Sequence, residues 1–299
     1  LRLYFGELAG LGNTDLIEAY YAPELSKDVP RRTLNALSQA FPSLVATFPT
    51  HEAYSLAGVA DILRVVGKPA SAVTAVTLST TLFLNRQTHF IARPLSAEAQ
   101  FAPAFAAVVA DANGDGHEDV FLGQNFFAVR PEWARLDGGR GLWLQGDGKG
   151  RLAPIPGQES GVAIYGEQRG AAAADFNEDG RVDLVVTQNG TTTRLFENVG
   201  ARPGLRVRLQ GPVGNPFGLG ASLRLEVGGR LGPAREIQGG SGYWSQNSPV
   251  QVLGSSASGR RLRVRWPGGK TVAVDIPDDG FEILVDRDGN VQKTKTAAR

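Results

Sequence analysis

Along most of the chain, short runs alternate apolar or β-branched residues with polar ones, and glycine-rich turns separate them. Such runs predict strands with one buried face. Phe105–Ala110 reads this way, as do the runs Val120–Gly123 and Leu184–Thr187. Ala171–Ala174 is ambiguous alone and is assigned by analogy. Gly141-Leu-Trp-Leu144 and Arg194-Leu-Phe196 fall where a third strand belongs, and Gly146-Asp-Gly-Lys-Gly150 predicts a hairpin turn before the next. Strand alternation is also expected from Val73 to Leu84. Four C-terminal runs, Leu205–Leu209, Leu223–Val227, Leu262–Trp266 and Val272–Ile276, alternate apolar with charged residues. Gly228-Gly229 and Gly268-Gly269 are their hairpin turns, so an antiparallel β domain with one charged face is expected. Two segments have a different period. Leu34, Leu37 and Phe41, then Leu56, Val59, Leu63 and Val66, recur at helical spacing, with Thr50 as an N-cap and Pro42 as a stop.

Two stretches in this pattern carry chemistry. Residues 111–119 and 175–183 both read D-x-N-x-D-G-x-x-D. Oxygen donors at alternate positions and a glycine at the sixth suit a Ca²⁺ ion. Asp111, Asn113, Asp115 and Asp119 would give side-chain oxygens and His117 a carbonyl. Asp175, Asn177, Asp179 and Asp183 would do the same, with the carbonyl of Arg181. An EF-hand would need a glutamate at position twelve, where Leu122 and Val186 stand, and a helix on each side, where strands are predicted. Two matching copies therefore predict two calcium sites within a repeat of strand hairpins. A third copy, Glu7 to Asp15, has Ala9 and Leu11 at donor positions and is expected to bind no metal. Its longer interval to the next copy predicts a two-helix insertion over about 24–68, projecting from the rim of its unit.

Composition narrows the classes. The chain has 299 residues, 38 glycines and 17 prolines, in keeping with many short strands and turns. A net charge of +1 does not point to nucleic acid or an anionic membrane. No apolar run has the length of a spanning helix. With no cysteine there is no disulfide or thiolate metal site. The chain contains no methionine and opens on Leu1-Arg-Leu-Tyr-Phe5, which reads as mid-strand, so a fragment or processed product is expected. Loops of this kind suit extracellular or periplasmic calcium levels, so an exported, cell-surface or periplasmic location is expected, with the signal peptide lying outside this stretch.

The two loops with their following strands resemble FG-GAP or VCBS repeats of integrin-like β-propellers. Farther on come Asn215-Pro-Phe-Gly-Leu-Gly-Ala221, Arg235-Glu-Ile-Gln-Gly-Gly-Ser-Gly-Tyr-Trp-Ser-Gln246 and Val264-Arg-Trp-Pro-Gly-Gly269. In this order they resemble the ASPIC/UnbV domain, and the whole resembles the C-terminal half of a cartilage-acidic-protein-like protein. A His-Phe-Gly-Leu-Gly stretch usual in that family is here Gln251-Val-Leu-Gly-Ser255. The resemblance implies a mainly β fold. It comprises a partial propeller of about three blades over 1–203, an ASPIC/UnbV-like β domain over 204–285, and a tail over 286–299. The complete propeller would have about seven blades. The family brings no defined activity.

Other candidates are sparse. Tyr243 and Trp244 follow a glycine-rich element. On a regular strand one would face the core; the other would offer a stacking surface to a sugar or a peptide, or serve packing alone with the glycines for a bulge. His51 and His89 read as surface residues, and Asp286–Asn290 as a charged turn near the terminus. The expected function is a non-enzymatic calcium-binding scaffold that takes a protein or glycan. The alternative is a carbohydrate-active lyase or hydrolase on a calcium-stabilised propeller, which would need a convergent acid–base pair.

Overall fold

The computed structural model describes residues 1–130, 133–254, 260–278 and 280–296. Strands account for 40% and helices for 11%, so the fold is mainly β, in several largely antiparallel sheets. The chain divides into two compact units, Leu1–Leu78 and Ser79–Arg299. The boundary expected near residue 203 falls inside the second.

In the first unit a four-stranded sheet runs in the order Lys27–Pro30, Asp15–Ala22, Arg2–Gly6, Ser71–Thr74. Ile17 and Ala19 point from it into a core shared with Leu37, Leu44, Val59 and Ile62. The insertion differs from expectation in three ways. Lys27–Pro30 is a strand paired with Asp15–Ala22, not part of a helical excursion. Val29 is buried there, and Pro30 lacks the N–H needed to extend the ladder. The helices number four, Leu34–Ser38, Ser43–Thr47, His51–Ser55 and Val59–Val66, because Pro42 and Pro49 cut the apolar pattern and Gly58 divides the second stretch. They also share the sheet's core instead of standing clear of it. Thr50 caps as expected, its hydroxyl accepting from Ala53 N–H at 3.1 Å. The strand expected over Val73–Leu84 is two pieces: Ser71–Thr74 belongs to this sheet, and Thr81–Asn85 pairs with Phe90–Pro94 in the second unit.

The second unit holds the intact motifs. One sheet has the order Leu152–Ile155, Leu142–Gly146, Asp119–Gln124, Ala104–Ala110. The next has Glu167–Ala174, Asp183–Asn189, Arg194–Phe196. Val108, Phe121 and Trp143 of one pack with Ala171, Leu184 and Val186 of the other. The predicted strands and the hairpin at 146–150 are thus present, with Asp147 Oδ1 accepting from the N–H groups of Lys149 and Arg151.

Two further sheets face each other across a core that includes Val207, Leu223, Leu262, Val264 and Ile283. One contains Gln251–Leu253, Leu205–Gln210, Gly280–Asp286 and Val291–Thr296; the other is built on Ser222–Val227, Arg260–Arg265 and Thr271–Asp275. Not every pair is antiparallel: Leu205–Gln210 runs parallel to Gly280–Asp286. The segment expected as a tail is the hairpin of Gly280–Asp286 with Val291–Thr296, turned at 287–290. Residues 297–299 of that expected tail, and Ser255 of the altered stretch, lie outside the described residues.

Candidate calcium loops and the adjoining cavity

Both intact loops join antiparallel strands in the same register. Ala110 pairs with Asp119, and Ala174 with Asp183, so each loop closes between the residue before position one and position nine. Gly6 pairs with Asp15 in the same way, which makes the N-terminal copy a third hairpin of this kind. The sixth-position N–H donates to the first-position carboxylate in all three: Gly116 to Asp111 and Gly180 to Asp175, each at 2.8 Å, and Gly12 to Glu7 at 3.1 Å. Position nine is a second anchor. Asp119 accepts from Ala112 N–H at 3.0 Å and Gly146 N–H at 2.8 Å; Asp183 accepts from Phe176 and Asn198, each at 2.8 Å. The ninth aspartate thus fastens the loop to the chain that follows it. Position four is left-handed too, at Gly10, Gly114 and Glu178. A Cβ on Gly114 would stand 2.3 Å from the carbonyl oxygen of Arg202, so there glycine is required twice over.

Calcium needs oxygens with unused lone pairs. An ionised carboxylate offers about four acceptor sites. Asp115 accepts from His117 N–H and Asn113 Nδ2, and Asp119 from two N–H groups, so each keeps capacity. Asp111 accepts from Gly114, Asp115 and Gly116. The donors are hard oxygens and fit Ca²⁺ in kind. Their carboxylates are turned onto backbone N–H groups, and among the described residues no three His, Cys, Asp or Glu side chains are gathered into a metal cage.

The electrostatics of the two loops differ. Burial pushes the Asp119 carboxyl up to about 6, against the backbone bonds from Gly146 and Ala112, and the charges of Asp111 and Asp115 add to the rise. Asp111 is also raised, by burial first. In the second loop burial would raise Asp179, but the bonds from Arg181 outweigh it and hold the carboxyl below its ordinary value. The Arg181 guanidinium lies 2.8 Å from Asp179 Oδ2.

Two more arginines reach the loops from the C-terminal sheets. Arg206, 1% exposed, donates to Asp175 Oδ2 and, at 2.6 Å, to Glu282 Oε2. Burial alone would raise the Glu282 carboxyl, yet the bonds from Arg206 and Thr294 keep it low. The alternation Leu205-Arg-Val-Arg-Leu209 places Arg206 on a solvent face; the structure instead buries it against the second loop. Arg235 Nε donates to Glu118 Oε1 at 2.6 Å, with the guanidinium 4.0 Å from Asp111 Oδ2. A Cβ on Gly254 would come 2.2 Å from that same oxygen, so the backbone at 254 closely abuts the first loop.

The family model described as ASPIC and UnbV matches residues 211–279. This chain carries an ASPIC/UnbV region. A search of curated proteins finds no match. The matched residues lie between the parallel strands Leu205–Gln210 and Gly280–Asp286, which flank the ASPIC/UnbV region and pair with each other.

Within the ASPIC/UnbV region, Tyr243 and Trp244 are not on a strand. They form the two-residue tip of a turn closed by the bridge Gly242–Ser245, with Ser241 N–H donating to the Ser245 carbonyl at 3.0 Å. The expectation of one ring inward and one outward is therefore corrected: Tyr243 is 46% and Trp244 92% exposed, and the rings stack with centroids 6.0 Å apart. Pairing across only two intervening residues leaves no extended segment to alternate faces. Trp244 has φ +49, a region a bulky residue rarely adopts. Phe105 packs edge-on against Tyr243, and the Arg169 guanidinium sits 3.8 Å over the Phe105 ring.

Residues on either side of this turn, Ser241 and Asn247 among them, line a cavity of about 460 Å³. Ala107, Val109 and Ala173 lie on its apolar side, Glu118 and Asp175 come from the loop hairpins, and residues between Arg235 and Val252 supply most of the polar lining. Its polar residues Glu236, Gln238, Asn247 and Gln251 carry no ligand pattern in the sequence. The available signal was the dense polar composition of 235–251.

Proposed function

We propose that the chain is a calcium-stabilised, non-enzymatic binding scaffold that takes a glycan or protein outside the cytoplasm. The observation that carries this reading is the shared construction of the hairpins. Three have one register, and two of them keep hard oxygen donors at every ligand position. Asp111, Asn113, Asp115, Asp119 and the His117 carbonyl would hold one ion. Asp175, Asn177, Asp179, Asp183 and the Arg181 carbonyl would hold the other. Calcium would add positive charge where carboxylates are crowded and stiffen hairpins on which the C-terminal sheets rest. The likeness of these loops to FG-GAP or VCBS repeats supports a propeller-type repeat and an exported setting.

A hydrolase reading is weaker on the same geometry. Hydrolysis of a glycoside takes two carboxyl groups flanking the bond. Of the cavity's carboxylates, Glu118 is held by Arg235 and Asp175 by Arg206, which leaves Glu236.

Calorimetric titration of the metal-free protein tests the scaffold reading. Two calcium sites are expected, with Asp115→Ala and Asp179→Ala each removing one. The absence of calcium binding at several millimolar would overturn it.

A further inference from the structure

We infer that the cavity beside the loops, with the Tyr243–Trp244 turn at its edge, is a binding site for uncharged saccharides. This deepens the scaffold reading and rests on it. A volume of 460 Å³ lies within the roughly 300–1,000 Å³ typical of small-molecule sites. One side is apolar, from Ala107, Val109 and Ala173; the other carries Glu236, Gln238, Asn247 and Gln251.

The two amides Asn247 and Gln251 are fixed in opposite senses. Asn247 Oδ1 accepts from Ala173 N–H at 2.9 Å, which leaves its Nδ2 as a donor. Gln251 Nε2 donates to the Ser248 carbonyl at 3.0 Å, which leaves its Oε1 as an acceptor. Gln238 offers both functions, and Glu236 accepts. A hydroxyl both donates and accepts, so a polyol satisfies this mixed set, whereas a purely anionic group would satisfy the donors alone. Charge points the same way. Arg235, the cation among the described lining residues, is engaged by Glu118 and by the Val252 carbonyl. An anionic ligand would meet the Glu236 carboxylate without a free counter-charge.

The turn supplies the stacking surface. Ser241 lines the cavity and bonds across the base of the turn, so the aromatic tip rises from the cavity's own wall. Tyr243 is braced by Phe105, two residues along the strand from the lining Ala107. A left-handed tryptophan exposed to solvent contributes little to the core, and such backbone strain is concentrated at ligand sites. An exposed indole stacked on a tyrosine presents a π face to the apolar C–H face of a sugar ring.

The test is binding of the whole chain, in millimolar calcium, to defined oligosaccharides. Neutral gluco-, manno-, xylo- and galacto-oligosaccharides are compared with uronate and sulfated ones by array and then calorimetry. A neutral oligosaccharide is expected to bind, and Trp244→Ala and Gln238→Ala are each expected to weaken it at least about tenfold with the melting temperature unchanged. Neutral binding that survives both substitutions would overturn the site and leave the scaffold reading intact. Binding confined to uronate or sulfated chains would overturn the saccharide class. Failure of every oligosaccharide would overturn the inference as a whole, while calcium calorimetry decides the scaffold reading separately.

Discussion

The second loop has guanidinium groups on two of its aspartates: Arg206, buried, on Asp175, and Arg181 on Asp179. The first loop, with the same nine-position pattern and the same register, has Arg235 at 4.0 Å from Asp111, turned mainly toward Glu118. Burial raises the carboxyls of Asp111 and Asp119, while the bonds from Arg181 hold that of Asp179 low. A motif specifies donors; the surrounding strands specify how much of their charge is already met. The first hairpin has carboxylates in want of a cation, whereas the second carries part of its own counter-charge. The two candidate sites should therefore not be equivalent.

The largest test of this contrast is Arg206→Ala. It would leave Asp175 and Glu282 buried without their shared partner, and breaking a buried pair this way costs about 3–5 kcal/mol. Urea denaturation at fixed calcium should show that loss, and a smaller one for Arg235→Ala. Equal losses would mean that the arginines serve packing alone.

Removal of calcium is expected to give the next effect. Ligand bound to the native state alone stabilises by about 2.7 kcal/mol at a hundredfold excess over Kd. Asp179→Ala, which spares the first loop, should retain the tighter calcium site; Asp115→Ala should retain the weaker one. EDTA should therefore lower the melting temperature more in Asp179→Ala than in Asp115→Ala. Indistinguishable affinities in the two variants would break the comparison.

The smallest stability effect belongs to Arg181→Ala. Its ion pair with Asp179 is partly exposed, and such pairs contribute about 0.2–1 kcal/mol. Calcium affinity at the second loop should nevertheless rise, because a competing cation has gone. An unchanged affinity would show that this guanidinium does not oppose the metal.

The hairpins were legible in the sequence because donors, glycine and flanking apolar runs lie within one short window. The third strand at Leu142–Gly146 and the turns at 228–229 and 268–269 were legible for the same reason. Arg206 was not. Its alternating strand argues for solvent, and its partners Asp175 and Glu282 lie far away along the chain. Arg235 meets Glu118 across a still longer separation. Tyr243 and Trp244 are legible as a pair, but their turn is not, because it needs a left-handed backbone at Trp244 that a bulky residue rarely adopts. Four helices replaced two because short apolar repeats fix a face, not the places where proline and glycine interrupt it.

The N-terminal hairpin separates the turn from the full donor set. Glu7, Gly12 and Asp15 preserve positions one, six and nine, and their bonds to Gly12 and Ala9 N–H groups still close the turn. Positions three and five have become Ala9 and Leu11, and Leu11 stands 78% exposed with no part in the core. Within the nine residues, carboxylates at one and nine with glycine at six suffice for the turn, while positions three and five are the donors that the N-terminal copy lacks. The turn thus forms without oxygen donors at those two positions. Were the two intact loops to hold calcium, a count of hairpins of this kind would exceed the count of ions, because the shape needs fewer donors than the metal does.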